Sequence, residues 1–175
     1  MFNEFFAMVK KLLLLSLIFG LSSCAHTPIR TLPEHITSIS IPIFTNQTFQ
    51  YGLEEIITNM VIEEFIRDGR LNVVDKKLAQ AELKGEINHF ERIPFSYDKE
   101  GNIAKYKITI EVSFGLTDLT ENKPLWDEEW EETILYIPST SPYEPGDFDI
   151  TSEQEAIYKA LSKIAYYLVS ITIKR

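Results

Sequence analysis

The sequence predicts a two-layer α/β sandwich, β-α-β-β-β-α, in which two helices pack on one face of a mixed four-stranded sheet. Residues 106–116 alternate apolar and polar side chains without interruption, which is typical of a strand with one buried face. Residues 52–68 and 152–168 instead repeat apolar side chains at helical spacing. Each strand has one apolar face, and the two amphipathic helices can cover it.

The first two predicted elements are a strand and a helix. Residues 36–44 are rich in isoleucine, and Pro42 either ends this strand or places it at a sheet edge, because proline has no N–H for the ladder. A turn cluster at residues 45–48 leads into a helix over residues 52–68, which Gly69 caps. The predicted core stripe of this helix is Leu53, Ile56, Ile57, Met60, Val61 and Phe65.

Two further strands are predicted to form a hairpin. Residues 81–91 alternate, with Gly85 on the apolar face, and residues 106–116 are the clearest strand in the chain. Residues 92–101 between them contain proline, aspartate and glycine and predict the turn.

The last strand and helix complete the predicted order. Residues 124–137 form an irregular strand in which Glu128 and Glu132 share the parity of the apolar side chains, which indicates a bulge or an edge position. Ser152 and Glu155 have the spacing of a capping box. The predicted buried stripe of the final helix is Ala156, Ile157, Ala160, Leu161, Ile164, Ala165 and Leu168.

The N-terminus, residues 1–23, is predicted to be a lipoprotein signal peptide. Lys10 and Lys11 precede an apolar run over residues 12–21, which is shorter than a bilayer-spanning helix requires. Two serines then lead directly into Cys24, the only cysteine of the sequence, which therefore has no intramolecular disulfide partner. This arrangement resembles a lipobox and predicts lipidation at Cys24; a plain signal peptide with an incidental cysteine is the alternative.

A short tether and one domain are predicted behind the lipidation site. Residues 24–35 are polar, contain two prolines and show no period, so we expect a lipidated tether; residues 36–175 suffice for a single domain. A processed lipoprotein cysteine carries several acyl chains, and more than one chain gives stable anchoring. Ala25 rather than aspartate follows Cys24, which by the lipoprotein sorting rule favours the outer membrane.

Charge and composition exclude several functions. The whole chain has a net charge of −9, and removing residues 1–23 leaves −10. Such a surface repels nucleic acid, so no nucleic-acid partner is expected. The three histidines lie far apart, and no nucleophile setting or glycine-rich phosphate loop is present. The acidic residues 127–132 lack the turn and amide ligands of a calcium loop. We therefore predict no metal, no cofactor and no enzymatic activity.

With these functions excluded, a binding function remains, and aromatic side chains are candidates for the binding surface. Trp126 and Trp130 lie on the irregular strand, and Tyr166 and Tyr167 lie partly off the buried stripe of the last helix. Such residues are enriched at protein interfaces. Alternatively, they pack the margin of the domain itself.

Several segments together resemble one protein family. These are the lipobox at Cys24, residues 41–48 (Ile-Pro-Ile-Phe-x-Asn-x-Thr), residues 52–54 (Gly-Leu-Glu), residues 81–87 (Ala-Glu-Leu-Lys-Gly-Glu-Ile) and residues 116–126. In order and spacing they are similar to the lipopolysaccharide-assembly lipoprotein family, LptE. The resemblance implies an LptE-like domain over residues 36–175 that pairs with the large outer-membrane barrel LptD. It implies a plug in the barrel lumen that helps to assemble the barrel, which delivers lipopolysaccharide to the outer leaflet.

The resemblance also implies contact with lipopolysaccharide through basic side chains, because its phosphates attract cations. We expect the hairpin over residues 92–107, with its apolar Pro94 and Phe95, to form a lumen-facing or lipid-facing tip. The candidate ligand-binding residues on it are Arg92, Lys99, Lys105 and Lys107.

A different class of function shares some of these features. Lipoproteins that form secretion pores or envelope scaffolds of the curli-export type also begin with a strand and a helix and carry an Ala-Glu/Asp-x-x-x-Gly strand. They are usually longer and form rings, which makes them the second interpretation.

Replacing the lipidated cysteine tests the predicted anchor. We expect Cys24→Ala to be secreted and to fold normally but to lose outer-membrane residence, because no acyl chain then holds it there. Fractionation of cell envelopes measures this. A variant that stays on the membrane without any partner would contradict the lipoprotein interpretation.

Overall fold

The computed structural model describes residues 32–141, 146 and 149–173. Cys24, the predicted signal peptide and most of the predicted tether lie outside the described residues. The elements within them are β1 Ser38–Ser40, β2 Thr45–Asn46, α1 Leu53–Asp68, β3 Asn72–Val73, β4 Ala81–Tyr97, β5 Ile103–Asp118, β6 Lys123–Tyr136 and α2 Glu153–Thr172.

The predicted mixed sheet with two helices is confirmed, but the prediction of four strands is wrong. The sheet has six strands in the order β3-β1-β4-β5-β6, with β2 also pairing with β4. The pairs of β1 with β3 and β4, and of β2 with β4, are parallel, whereas β4, β5 and β6 form an antiparallel meander. The two unpredicted strands, β2 and β3, have two residues each, which is too short to leave a period in the sequence.

The first strand is shorter than predicted and ends before Pro42. Only Ser38–Ser40 is extended and paired, and β1 has neighbours on both sides, β3 and β4. Of the two predicted roles of Pro42, ending the strand is therefore correct and an edge position is wrong.

The two helices and one face of the sheet share a single core. Gly52 and Gly69 flank α1 in left-handed conformation, with φ of 87° and 75°. Ile56 of the predicted α1 stripe is exposed and Met60 is only partly buried, whereas Leu53, Ile57, Val61 and Phe65 are buried as predicted. Helix α2 begins with the Glu155 N–H donating to Ser152 Oγ over 3.1 Å. All seven residues of the predicted α2 stripe are buried.

The predicted turn of the hairpin is too long. Strand β4 continues through residues 92–97, and the turn is confined to residues 98–102. In this turn the Asp98 carboxylate accepts the N–H groups of Glu100 and Asn102 over 2.9 and 2.8 Å. Pro94 is accommodated because the pairing with β5 shifts register beside it. Pro94, which in the sequence indicated a turn, therefore lies at an irregularity within a strand.

The irregular fourth predicted strand is both an edge strand and bulged. Strand β6 is last in the strand order, and its pairing with β5 shifts register between Leu116 and Thr117. Register places Glu128 and Glu132 on the helix-covered face beside Trp126 and Trp130. Glu132 is accommodated there because Lys163 of α2 donates to it over 2.7 Å.

The strands of the central hairpin are much longer than the helices that cover them. Strand β4 has 17 residues, and α2 has 20. At the rises of a strand and a helix these correspond to about 55 Å and about 30 Å. Burial on β5 begins at Ile108, and residues 103–107 are only partly buried. The end of the hairpin therefore extends beyond the core.

Gly85 gives the fold a specific test. A Cβ at this position would lie 2.1 Å from the ring of Phe44, which is itself buried. We expect Gly85→Ala to lower the free energy of unfolding by about 1–3 kcal/mol through overpacking, measured by urea denaturation. Gly115→Ala is the matched control, because there the nearest atom is the carboxylate end of the exposed Asp127 side chain. Equal stability of the wild type and Gly85→Ala would contradict the packing of Phe44 against this glycine.

Candidate functional site

The end of the β4–β5 hairpin, residues 93–107, presents apolar and basic side chains to solvent; we call it the hairpin tip. Ile93, Phe95 and Tyr97 are 36%, 55% and 61% exposed. Three large exposed apolar side chains within five residues are unusual for a polar surface. These side chains are exposed because β4 continues as a strand here although neither α1 nor α2 covers this part of it.

The turn that closes the hairpin tip is held by hydrogen bonds to Asp98. Asn102 donates its side-chain N–H to Asp98 over 3.0 Å, and Gly101 takes a φ of 89° that favours glycine. The Asn102 side chain does most to hold the pKa of Asp98 below its usual value. Burial opposes this effect, and backbone N–H groups of the turn add to it. Lys99 lies within this turn and is exposed.

Arg92 lies at the base of the hairpin tip, on the side of the helices. Its guanidinium forms an ion pair with Glu153, the first residue of α2, and lies 5.2 Å from the centre of the Tyr106 ring. The Tyr136 hydroxyl and then Glu153 raise the pKa of Arg92. Tyr106 and Tyr136 stack with ring centres 5.6 Å apart. Arg92 therefore joins the hairpin to the end of the helix layer.

The other predicted ligand-binding residues lie on the tip itself. Lys107 pairs across the sheet with Ile93 and Leu135, which are exposed, whereas the next residue, Ile108, faces the core. Lys105 has the same parity on β5 and shares this outer face. The structure thus groups Lys105 and Lys107, with Lys99 in the adjoining turn, and separates Arg92 from them on the opposite face.

The charge on the outer sheet face changes from positive to negative along the strands. Beyond Lys107 towards the far end of β5, the meander carries exposed or partly exposed carboxylates: Glu86, Glu91, Glu111, Asp127, Glu129 and Glu131. The crowding is close, because a hydrogen bond with Glu129, together with burial, raises the pKa of Glu111. The lysines of the tip therefore form a local basic region on an acidic face.

The tryptophans of β6 pack the margin of the domain. Trp130 stacks on Tyr167 with ring centres 3.7 Å apart, and Trp126 meets Phe114 edge-on at 6.1 Å. Tyr166 instead points outward and is 67% exposed. Of the two interpretations of these aromatics, packing applies to both tryptophans and Tyr167, and Tyr166 stays available for contact.

Sequence reasoning missed a polar cluster that joins the N-terminal segment to the end of β5. His35 Nε2 lies 2.6 Å from Asp118 Oδ2 although the residues are 83 positions apart in sequence. Glu121 belongs to the same group, whose candidate ligand atoms all lie within 4.8 Å of one another and could hold a metal ion. No spacing in the sequence indicates this group, because only the fold brings its members together. Leu32, also within the predicted tether, is buried in the core.

Asp118 is fully buried in this cluster, and its carboxylate has hydrogen-bond partners there. Burial raises its pKa, but the N–H groups of Glu121 and Thr120 and the ring of His35 outweigh that effect, so the pKa lies below its usual value. The carboxylate therefore stabilises the folded chain in its ionised form.

The fold is shared with solved bacterial proteins. A dodecameric PelC variant from Paraburkholderia phytofirmans has a TM-score of 0.53 at 13% identity, with 85% of this chain and 96% of that chain covered. A Xanthomonas campestris protein has a TM-score of 0.54 at 13% identity, covering 83% and 90%. Lipoprotein B from Nitrosomonas europaea has a TM-score of 0.51 at 19% identity, covering 85% and 87%. These likenesses concern the fold alone: a two-layer α/β domain that is also found in a bacterial lipoprotein.

Sequence comparison identifies the family. Residues 36–170 match the profile of the lipopolysaccharide-assembly family LptE, so the chain belongs to that family, as the resemblance predicted. A search of curated proteins finds no match. Among the described residues no helix is both long and apolar enough to cross a membrane.

The His35–Asp118 contact predicts a pH-dependent stability. Because the pKa of folded Asp118 is lowered, its contribution is complete above the unfolded pKa of about 4 and is lost as the pH falls through the folded value. Asp118→Asn keeps an acceptor for the turn N–H groups but loses the charge. We expect it to lower the free energy of unfolding at pH 7 by about 1–2 kcal/mol, with the difference from wild type shrinking at about pH 3. Urea denaturation at both pH values measures this, with Asp75→Asn as an exposed control; a constant difference would contradict the assignment.

Proposed function

We propose that this protein is an outer-membrane lipoprotein, anchored through Cys24, that binds the barrel LptD, plugs its lumen and assists its assembly for delivery of lipopolysaccharide. The match of residues 36–170 to the LptE family carries the proposal. It supports a role in lipopolysaccharide assembly, for which we propose binding without a catalytic step. The proposal also names the partner, an outer-membrane location and a plug position, and the surfaces described above support these three details.

The hairpin tip has the chemistry that lipopolysaccharide requires. The ligand combines phosphate groups with acyl chains, and the tip combines Lys105 and Lys107 with the exposed Phe95 and Tyr97. Lysine ammonium groups bind phosphate as point charges, and aromatic rings fit the boundary between polar and apolar regions. The proposed binding residues are thus Lys99, Lys105 and Lys107, with Arg92 holding the base of the tip against α2.

The outer sheet face suits a position inside a wide barrel. The lumen of such a barrel is polar, and the face opposite the helices presents charged and hydroxyl side chains along β4, β5 and β6. A plug needs this polar surface on the side that meets the barrel wall. The lipid on Cys24 would keep the domain beside the barrel it enters.

The second candidate is a ring-forming secretion-pore or scaffold lipoprotein of the curli-export type. The observation that favours it is the likeness of fold to the dodecameric PelC variant. At 13% identity that likeness concerns the fold, whereas the LptE match concerns the sequence over most of the chain. We therefore retain the barrel plug as the proposed function.

Purification in mild detergent separates the two candidates. The tagged full-length lipoprotein is isolated from the membrane, and the mass and composition of its complex are measured. A stoichiometric large barrel is the expected result. A homo-oligomeric ring would favour the pore, and a lone monomer would contradict both.

Charge reversal on the hairpin tip tests the proposed ligand contact. We expect Lys105→Glu with Lys107→Glu to weaken binding of purified lipopolysaccharide by roughly tenfold for each lysine, because each loses a charge-assisted contact and adds repulsion. Fluorescence titration measures the affinity, and co-purification of the barrel is measured in parallel.

The matched control is Lys77→Glu with Lys159→Glu, which makes the same change of net charge at exposed positions outside the tip. We expect it to leave affinity within about twofold, since Lys77 precedes β4 and Lys159 lies on α2, so neither belongs to the hairpin tip. If reversal at the tip left both lipopolysaccharide binding and barrel association unchanged, the assignment of the tip would be wrong.

A further inference from the structure

Strand β6 is an open sheet edge along its whole length. It has 14 residues and, in the part of the chain that the structure describes, pairs with β5 alone. The other edges are less regular: β3 has two residues, and the free side of β4 near the hairpin tip contains Pro94 and two shifts of register. An edge of this kind presents unpaired N–H and C=O groups that can template a further strand.

The side chains of β6 make this edge strongly acidic. Five carboxylates occupy six consecutive positions: Asp127, Glu128, Glu129, Glu131 and Glu132. Glu132 is paired with Lys163. Asp127, Glu129 and Glu131 are exposed at alternate positions on the outer face. These three form an evenly spaced row of negative charge, which we call the acidic row.

The acidic row argues against pairing of β6 with a second copy of itself. An antiparallel pair centred on Glu129 would place that residue opposite its own copy and Asp127 opposite Glu131. Like charges directly opposite each other on neighbouring strands are destabilising. The carboxylates are already crowded within one chain, where Glu129 lies close enough to Glu111 to raise its pKa. Charged edge residues are a known way to prevent such self-association.

We propose that β6 binds an extended, basic segment of a partner protein, which adds to the sheet as a further strand. Backbone hydrogen bonds to the open edge supply the affinity, and lysine or arginine side chains at alternate positions pair with the acidic row. The same charges that exclude a second copy select this partner. The proposed strand-binding edge is separate from the proposed lipopolysaccharide site, because the acidic row is negatively charged and the lysines of the hairpin tip are positively charged.

A synthetic peptide that alternates lysine and valine tests the proposal on the full-length protein in mild detergent. Two control peptides have glutamate in place of lysine, or N-methyl groups on alternate backbone amides, which keep the charge but remove the edge hydrogen bonds. Affinity is measured by fluorescence anisotropy. We expect the lysine peptide to bind at least about tenfold more tightly than either control.

Variants and hydrogen exchange locate the contact. Glu129→Lys with Glu131→Lys should weaken lysine-peptide binding by about tenfold or more and favour the glutamate peptide, whereas Glu63→Lys with Asp75→Lys changes the net charge equally and should have little effect. Bound peptide should slow amide exchange at alternate residues of β6.

Three results would overturn the proposal. The N-methylated peptide could bind as well as the parent, which would mean attraction by charge alone. Protection could fall on the helices or the hairpin tip instead of β6. Finally, the protein without peptide could form a dimer that protects β6, which would assign the edge to a second copy.

Discussion

The architecture depends on the mismatch between a long hairpin and two shorter helices. One side of the sheet needs an apolar cover, and α1 and α2 provide it only as far as the Arg92–Glu153 ion pair at the start of α2. Beyond that point β4 is mostly exposed and β5 is only partly buried. Strands without a core need another reason to keep exposed apolar groups such as Phe95 and Tyr97, and the lipid or partner contact proposed above would supply one.

The sheet has separate basic and acidic regions, which the net charge of the chain does not reveal. The chain is strongly acidic, yet Lys105 and Lys107 lie together on the outer face, and the carboxylates of β6 lie further along it. At physiological salt a charge acts over about 8 Å, so the basic and the acidic region can act independently of each other. An acidic protein can therefore present a basic site to phosphate groups at one end and an acidic edge to a polypeptide.

Sequence patterns predicted what depends on regular spacing and missed what depends on distant contacts. The uninterrupted alternation around Ile110 and the helical stripe around Leu161 are each dictated by one buried face, so both were predicted correctly. Strands β2 and β3 are held by their neighbours and leave no period. Pro94 was misleading because a bulge can absorb a proline. His35 and Asp118 meet only in the fold, and Arg92 could be assigned to a face only once the register was known.

The hairpin tip is, in our proposal, the contact element of this lipoprotein. Photocrosslinking in cells tests it most directly, with a crosslinking amino acid in place of Phe95 and, as control, in place of Leu78, an exposed side chain near the opposite end of β4. We expect adducts to lipopolysaccharide or to the barrel from position 95 and none to lipopolysaccharide from position 78. Adducts from position 78 alone would contradict it.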